Sequence, residues 1–244
     1  MIVSSLSLAY GEKNILEGIN FELQNHLTIL GSNGSGKSTL AKALCGLLPY
    51  EGSINISHQE LSNIASKERA KLISYIPSKM QSFEQFTTLE DFVLLGRYPY
   101  KESFKDYSQE DKELVKKILQ ELSIHELKAH KLHELSSGQQ QLTLIAQALA
   151  QESQILIFDE PTSNLDPRNT ALFVKELKRL RQNHQTILIT HDIQLASFLD
   201  DPVLFIQDTK AKLFEKGFFE TDTLTRAYGI NFKNENGMIG ISYA

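Results

Sequence analysis

The sequence predicts an α/β fold with three parts: a core built on a phosphate-binding loop, an N-terminal antiparallel β-subdomain and an inserted helical subdomain. Three observations predict it. Gly31-Ser-Asn-Gly-Ser-Gly-Lys-Ser-Thr39 fits the pattern G-x-x-x-x-G-K-[ST] at Gly31, Gly36, Lys37 and Ser38. Apolar residues alternate at Leu6, Leu8 and Tyr10 and again at Ile19, Phe21 and Leu23, the period of strands with one buried face. From about residue 78 to 151 the spacing becomes helical, and strands return after it.

At 244 residues the chain has room for one large α/β domain with an insertion, so residues 1–244 are read as a single domain. A net charge of −5 argues against a nucleic-acid binder held by bulk positive charge, and no nucleic-acid partner is expected. Cys45 is the single cysteine, so no internal disulfide can form, and it reads as a small buried thiol. There is no signal-like N-terminus and no apolar run near the ~20 residues of a membrane span. The expected location is therefore cytosolic, with any membrane contact made through a partner.

Taken in order, Gly11 separates the two alternating runs, which predicts a turn at 11–14. The apolar run 26–30 predicts a buried strand, and 37–48 a helix stopped by Pro49. Short strands are expected at 52–56 and 72–76, the latter ended by Pro77, with a polar helix at 60–71 between them. Within the helical block, 88–95 ends near Gly96. Ser108 and Asp111 form a capping pair ahead of an apolar face made of Leu114, Val115, Ile118, Leu119 and Leu122. A further helix at 140–150 carries Leu142, Ile145, Ala146 and Leu149. Strands are then expected at 154–158 and 186–190. The helix between them starts from Asp166 as N-cap and Pro167 at its first position. Beyond Pro202 the reading is strand 203–206, strand 212–215 and a helix at 221–228.

The chemistry starts at the loop. Its glycines let successive N–H groups curl around an anion, and the helix N-terminus adds the positive end of a dipole. Lys37 would reach the β/γ-phosphates and Ser38 a magnesium ion. Gln154-Ile-Leu-Ile-Phe-Asp-Glu160 is an apolar strand ending in two carboxylates. Asp159 can hold the metal through water, and Glu160 can polarise an attacking water. Leu135-Ser-Ser-Gly-Gln139 leads into a helix, so Ser136 and the backbone of Gly138 lie where phosphate can bind. Alone, that segment reads as an ordinary N-cap. His191 follows the strand at 186–190 and alone reads as a surface residue.

Together these segments resemble the ATP-binding-cassette ATPases, a family with a P-loop NTPase core, over nearly the whole chain. The phosphate loop at 31–39, the signature at 135–139 and the acidic strand at 155–160 occur in the family's order. So do the D-loop Ser163-Asn-Leu-Asp166 and the switch His191. The resemblance implies ATP and Mg2+ as cofactors and a homodimer in the presence of ATP. Tyr10 would stack on adenine, a position where a packing role has an equal claim from the residues alone. Ser32, Asn33, Gly34, Ser35 and Thr39 complete the loop. Ser136, Ser137, Gly138 and Gln139 would close the site in trans, Asp166 would link the two sites, and Glu160 and His191 would be catalytic. It further implies integral-membrane permease subunits, indirect work with a solute-binding protein, and a place on the cytoplasmic face of the membrane. Leu94-Leu-Gly-Arg-Tyr-Pro-Tyr100 and Ala227-Tyr-Gly-Ile230 resemble segments of importers for ferric siderophores, haem and cobalamin, and the first would dock the permease. An exporter ATPase and a slow regulatory nucleotide-binding module are the other readings.

Three positions depart from the family. Ser78 stands where its Q-loop glutamine belongs, and the spacing makes Gln81 and Gln85 poor replacements. Ser137 replaces a signature glycine, which is mild if its backbone is not left-handed. Leu142 takes a place usually held by arginine, in phase with the helix core. His125, His130 and His133 lack metal-site spacing and read as solvated.

Overall fold

The computed structural model describes residues 1–80, 86–102, 104–235 and 238–242. Strands β1 (Ile2–Tyr10) and β2 (Lys13–Glu22) pair antiparallel. They bury Val3, Leu6, Leu8, Leu16, Ile19 and Phe21 on one face, as the alternation predicts. Strand β3 (His26–Gly31) leads through the phosphate loop into helix α1 (Lys37–Leu44). Helix α1 stops short of the expected Pro49. Gly46 takes a left-handed φ of 64°, its N–H bonds the carbonyl of Ala43, and the N–H of Leu47 bonds that of Lys42. That glycine C-cap satisfies the last carbonyls before proline can act.

Strand β4 (Glu51–Ile56) pairs with β1 and with the two-residue β5 (Gln59–Glu60). The polar helix expected at 60–71 is shorter: a 3-10 turn at Leu61–Asn63, then α2 (Ser66–Ala70). It has no apolar stripe to bury, so packing does not extend it. After β6 (Ile73–Ile76) come α3 (Leu89–Leu94), α4 (Gln109–Glu121) and α5 (Ser137–Ala150). Ser108 and Asp111 cap α4 reciprocally. Helix α5 starts three residues before its expected beginning, because Ser136 and Gln139 form a capping box of their own. Leu142 is half-buried and packs against the core, as its phase predicts.

Strand β7 (Ile155–Asp159), helix α6 (Pro167–Leu180) and strand β8 (Gln185–Ile189) follow. Asp166 accepts from the N–H of Asn169 and caps α6. The expectations omit α7 (Ile193–Leu199) and the final hairpin of β11 (Phe232–Glu235) and β12 (Met238–Ile241). Between these lie β9 (Val203–Gln207), β10 (Lys210–Phe214) and α8 (Thr221–Tyr228). Gly229 ends α8 in a left-handed cap, and Tyr228 stacks edge-on against Phe205. The Ala227–Ile230 segment thus has a local packing role.

The main sheet runs β10-β9-β3-β8-β7-β6, with every pair parallel except β10 with β9. One side of it packs on α1 and the antiparallel sheet through Leu27, Ile29, Leu40, Ile157 and Ile187. The other side packs on α3–α6 through Leu156, Phe158, Phe173 and Leu188. Strands buried on both faces are near-continuous apolar runs, as these are. No helix among the described residues is long and apolar enough to cross a membrane.

Candidate nucleotide site

Parallel strands point their carboxyl ends the same way, so the loops after β3, β6, β7 and β8 open at one edge of the sheet, where α/β sheets place their ligands. Strand β8 lies between β3 and β7, in register at Ile29–Ile189 and Asp159–Ile189. The phosphate loop and the acidic strand therefore stand one strand apart, and α1 spans the gap. Ser38 Oγ, in its first turn, donates to Asp159 Oδ1 at 2.9 Å.

The loop has the form of an anion cradle. Gly36 sits at φ 99° and a Cβ there would lie 2.9 Å from Ile15, so the turn into α1 needs glycine. Lys37 is 6% exposed, and its ammonium donates to the carbonyls of Gly31 and Ser32 at 2.9 Å each. Burial lowers its pKa, and the charges of Glu160 and Asp159 oppose that shift. Ser35 Oγ is buried with no hydrogen-bond partner among the described residues, a polar group that a phosphate oxygen would satisfy. Ser32, Asn33, Gly34 and Ser38 are exposed, and Thr39 is half-buried.

Glu160 joins the cradle from the next loop. Its Oε1 lies 3.9 Å from Lys37 Nζ, and His191 Nδ1 donates to its Oε2 at 2.6 Å. Glu160 has a left-handed φ of 52°. Its N–H donates to the carbonyl of Ile189, and its own carbonyl accepts from the N–H and Oγ of Ser163. A strained conformation held from several sides is what functional positions display. Ser38, Asp159, Lys37, Glu160 and His191 thus form one connected group. Tyr10 lies at the end of β1, 54% exposed and free for a ligand to stack on.

The signature residues do not join this group within the chain. Ser136 and Ser137 are exposed at the start of α5. Ser137 is helical rather than left-handed, so a serine is accommodated there. Gly138 is buried, and a Cβ on it would come within 2.5 Å of Asn169 Oδ1. Asn169 in turn bonds Asp166 through Nδ2 at 3.2 Å. The signature and the D-loop helix therefore touch through one side chain.

Sequence reasoning missed two contacts besides that one. Tyr75 Oη donates to Asp159 Oδ2 at 2.7 Å, and burial with this bond pushes the phenol well above its ordinary pKa. Asn164 Nδ2 donates to the carbonyl of Ser78 at 3.3 Å. Both depend on β6 lying beside β7, and no local pattern carries sheet order. Gln81 and Gln85 lie outside the described residues. The Oγ of Ser78 makes no hydrogen bond among them. No His/Cys/Asp/Glu group suited to a metal occurs among the described residues, His125, His130 and His133 included. Cys45 is buried, and burial raises its pKa.

The family model described as ABC transporter matches residues 16–163, more than half of the chain. An uncharacterised ABC transporter ATP-binding protein of Methanocaldococcus jannaschii is 34% identical over 96% of this chain and 93% of its own. The petrobactin import ATP-binding protein FpuD of Bacillus anthracis is 36% identical over 83% of this chain and 76% of its own. A solved chain described as part of an inward-facing, metal-chelate-type ABC transporter superposes with a TM-score of 0.83. It is 26% identical and covers 98% of this chain and 94% of that one. A phosphate cradle, a paired acidic strand end and a histidine on its glutamate, in a chain with these relatives, have one reading: the chain belongs to the ABC transporter family, as an ATP-binding and ATP-hydrolysing subunit.

Proposed function

We propose that this ATPase energises an importer of a metal chelate, such as a ferric siderophore, haem or cobalamin. The observation that carries the catalytic part is the hydrogen bond from His191 to Glu160 beside the buried Lys37. Lys37 and the loop N–H groups hold the β/γ-phosphates, and Tyr10 carries the adenine. Glu160 orients and polarises the attacking water, with His191 holding the carboxylate and facing the γ-phosphate. Ser38 and Asp159 would hold Mg2+, for which an all-oxygen set is suited. The ion, when bound, neutralises phosphate charge.

The site is completed in a homodimer. Ser136, Ser137, Gly138 and Gln139 are exposed or at the start of a helix remote from their own chain's loop, and they meet the γ-phosphate of a second copy. Asp166 reports between the sites through α6. Residues 78–151 act as the helical subdomain that moves with the permease, at the cytoplasmic face of the membrane, and a solute-binding protein feeds the permease from outside. Import of a metal chelate rests on the likeness to the petrobactin relative and to the metal-chelate-type structure.

Glu160→Gln removes the base but keeps the hydrogen bond to His191. ATP turnover should fall by at least about 100-fold, the scale of a lost general base, while nucleotide binding persists. Equal turnover in the two proteins would overturn the assignment.

A further inference from the structure

The geometry points to Tyr75 as a positioning residue for the metal-holding carboxylate of Asp159. Asp159 is only 5% exposed, and its two oxygens have separate neutral donors. Ser38 Oγ takes Oδ1 from α1, and Tyr75 Oη takes Oδ2 from β6. In register, Tyr75 lies opposite Ile157, two residues before Asp159. Both residues therefore face the same side of the sheet, and the phenol reaches one pleat forward along it. The ring is packed against the core on the α1 side, which fixes where its hydroxyl stands.

A carboxylate with one donor can still turn about its Cβ–Cγ bond; with a donor on each oxygen it cannot. Ser38 is itself one of the residues proposed to hold Mg2+, so its hydroxyl is shared between ion and carboxylate. Tyr75 has no such second task, and its hydroxyl remains on Oδ2. It stands three residues before Ser78, which follows the end of β6. In this chain β6 touches the metal-holding set through the hydroxyl at 75, while the Oγ at 78 makes no hydrogen bond among the described residues.

This inference rests on the Mg2+ reading given above, and the test separates the two. The full chain is titrated with Mg2+ in the presence of a fluorescent ATP analogue, following both the bound-nucleotide signal and ATP turnover. Tyr75→Phe keeps the ring and removes the hydroxyl. The Mg2+ concentration at half-response should rise about tenfold in both signals, the size of one hydrogen bond to a charged group. Analogue affinity in excess chelator should be unchanged. On Asp159→Asn, adding Tyr75→Phe should change the Mg2+ response little, since the two act through one contact. A Tyr75→Phe protein with the wild-type Mg2+ midpoint overturns the inference, even if its thermal midpoint drops, because a packing role alone would leave the metal response untouched. A wild-type chain whose nucleotide signal and turnover both ignore Mg2+ overturns the metal reading, and this inference with it.

Discussion

Ser78 lies at the exit of β6, half-buried, with its carbonyl bonded to Asn164 of the loop that follows Glu160. The backbone there is tied to the D-loop whatever side chain is present. A glutamine side chain would extend further from the same anchored position and add an amide at the carboxyl edge of the sheet. A hydrogen bond to a charged group is worth about 1.5–3 kcal/mol, which is ten- to a hundredfold in rate. Ser78→Gln should therefore hold or raise steady-state ATP turnover, and a severe loss would give serine a role of its own. The candidate residues Lys37, Ser38, Asp159 and Glu160 were legible in the sequence because their signals are contiguous, a loop and a strand ending in two acids, whereas His191 was singled out only through the family resemblance. Tyr75, Asn164 and Asn169 were not legible, since each acts across elements far apart in the chain.

At the scale of elements, the segment Leu94–Tyr100 divides in two. Gly96, Arg97 and Pro99 are buried, whereas Leu95 and Tyr98 are exposed. Gly96 packs so closely on α5 that a Cβ would run into the carbonyl of Gln147. Arg97 bonds Asp111 at the cap of α4, the carbonyl of Ala150 at the end of α5, and Glu152, with the Tyr100 ring 3.9 Å away. One guanidinium thus joins α4 to α5. Removing it strands a buried carboxylate, and Arg97→Met should cost about 3 kcal/mol, read from a denaturant midpoint at constant slope. Arg97→Lys should recover little, because an ammonium cannot match the planar fork. Burial alone would raise the pKa of Asp111, but the Arg97 and Ser108 bonds outweigh it and lower the pKa. Its stabilisation is then full above the ordinary carboxylate pKa and is lost as pH falls through the lowered one. That acid-dependent loss should shrink in Arg97→Met, where only the Ser108 bonds still hold the pKa down. From sequence the segment reads as a docking surface; the structure assigns its buried half to packing and leaves the exposed aromatics as the part a partner can meet.

For the whole molecule, the decisive separation is between the cradle and the signature. Within the chain the start of α5 touches Asn169 and the D-loop helix, while Lys37, Glu160 and His191 form their own group. If the sites are completed across a two-fold axis, two inactive proteins should complement each other. Lys37→Ala lacks a working cradle, and Ser136→Arg, at an exposed position, lacks a working signature. A mixed dimer keeps one intact site, so an equimolar mixture should recover up to about a quarter of the wild-type sites. Turnover of the mixture against each protein alone measures this, and no recovery would rule out completion in trans.

The sequence by itself determined the phosphate loop, the acidic strand end, the helix caps at Ser108 and Asp166, and the order of elements apart from α7 and the final hairpin. These depend on neighbours a few residues apart, where spacing and propensity act directly. It also located the departures at Ser78 and Ser137. Only the tertiary structure decided that β6 lies beside β7, and so that Tyr75 reaches Asp159. It likewise decided that Gly46 rather than Pro49 ends α1, and that Gly138 rests on Asn169. Sheet order and helix packing arise from burying many apolar faces at once, and no single stretch of sequence records which polar groups that burial brings together.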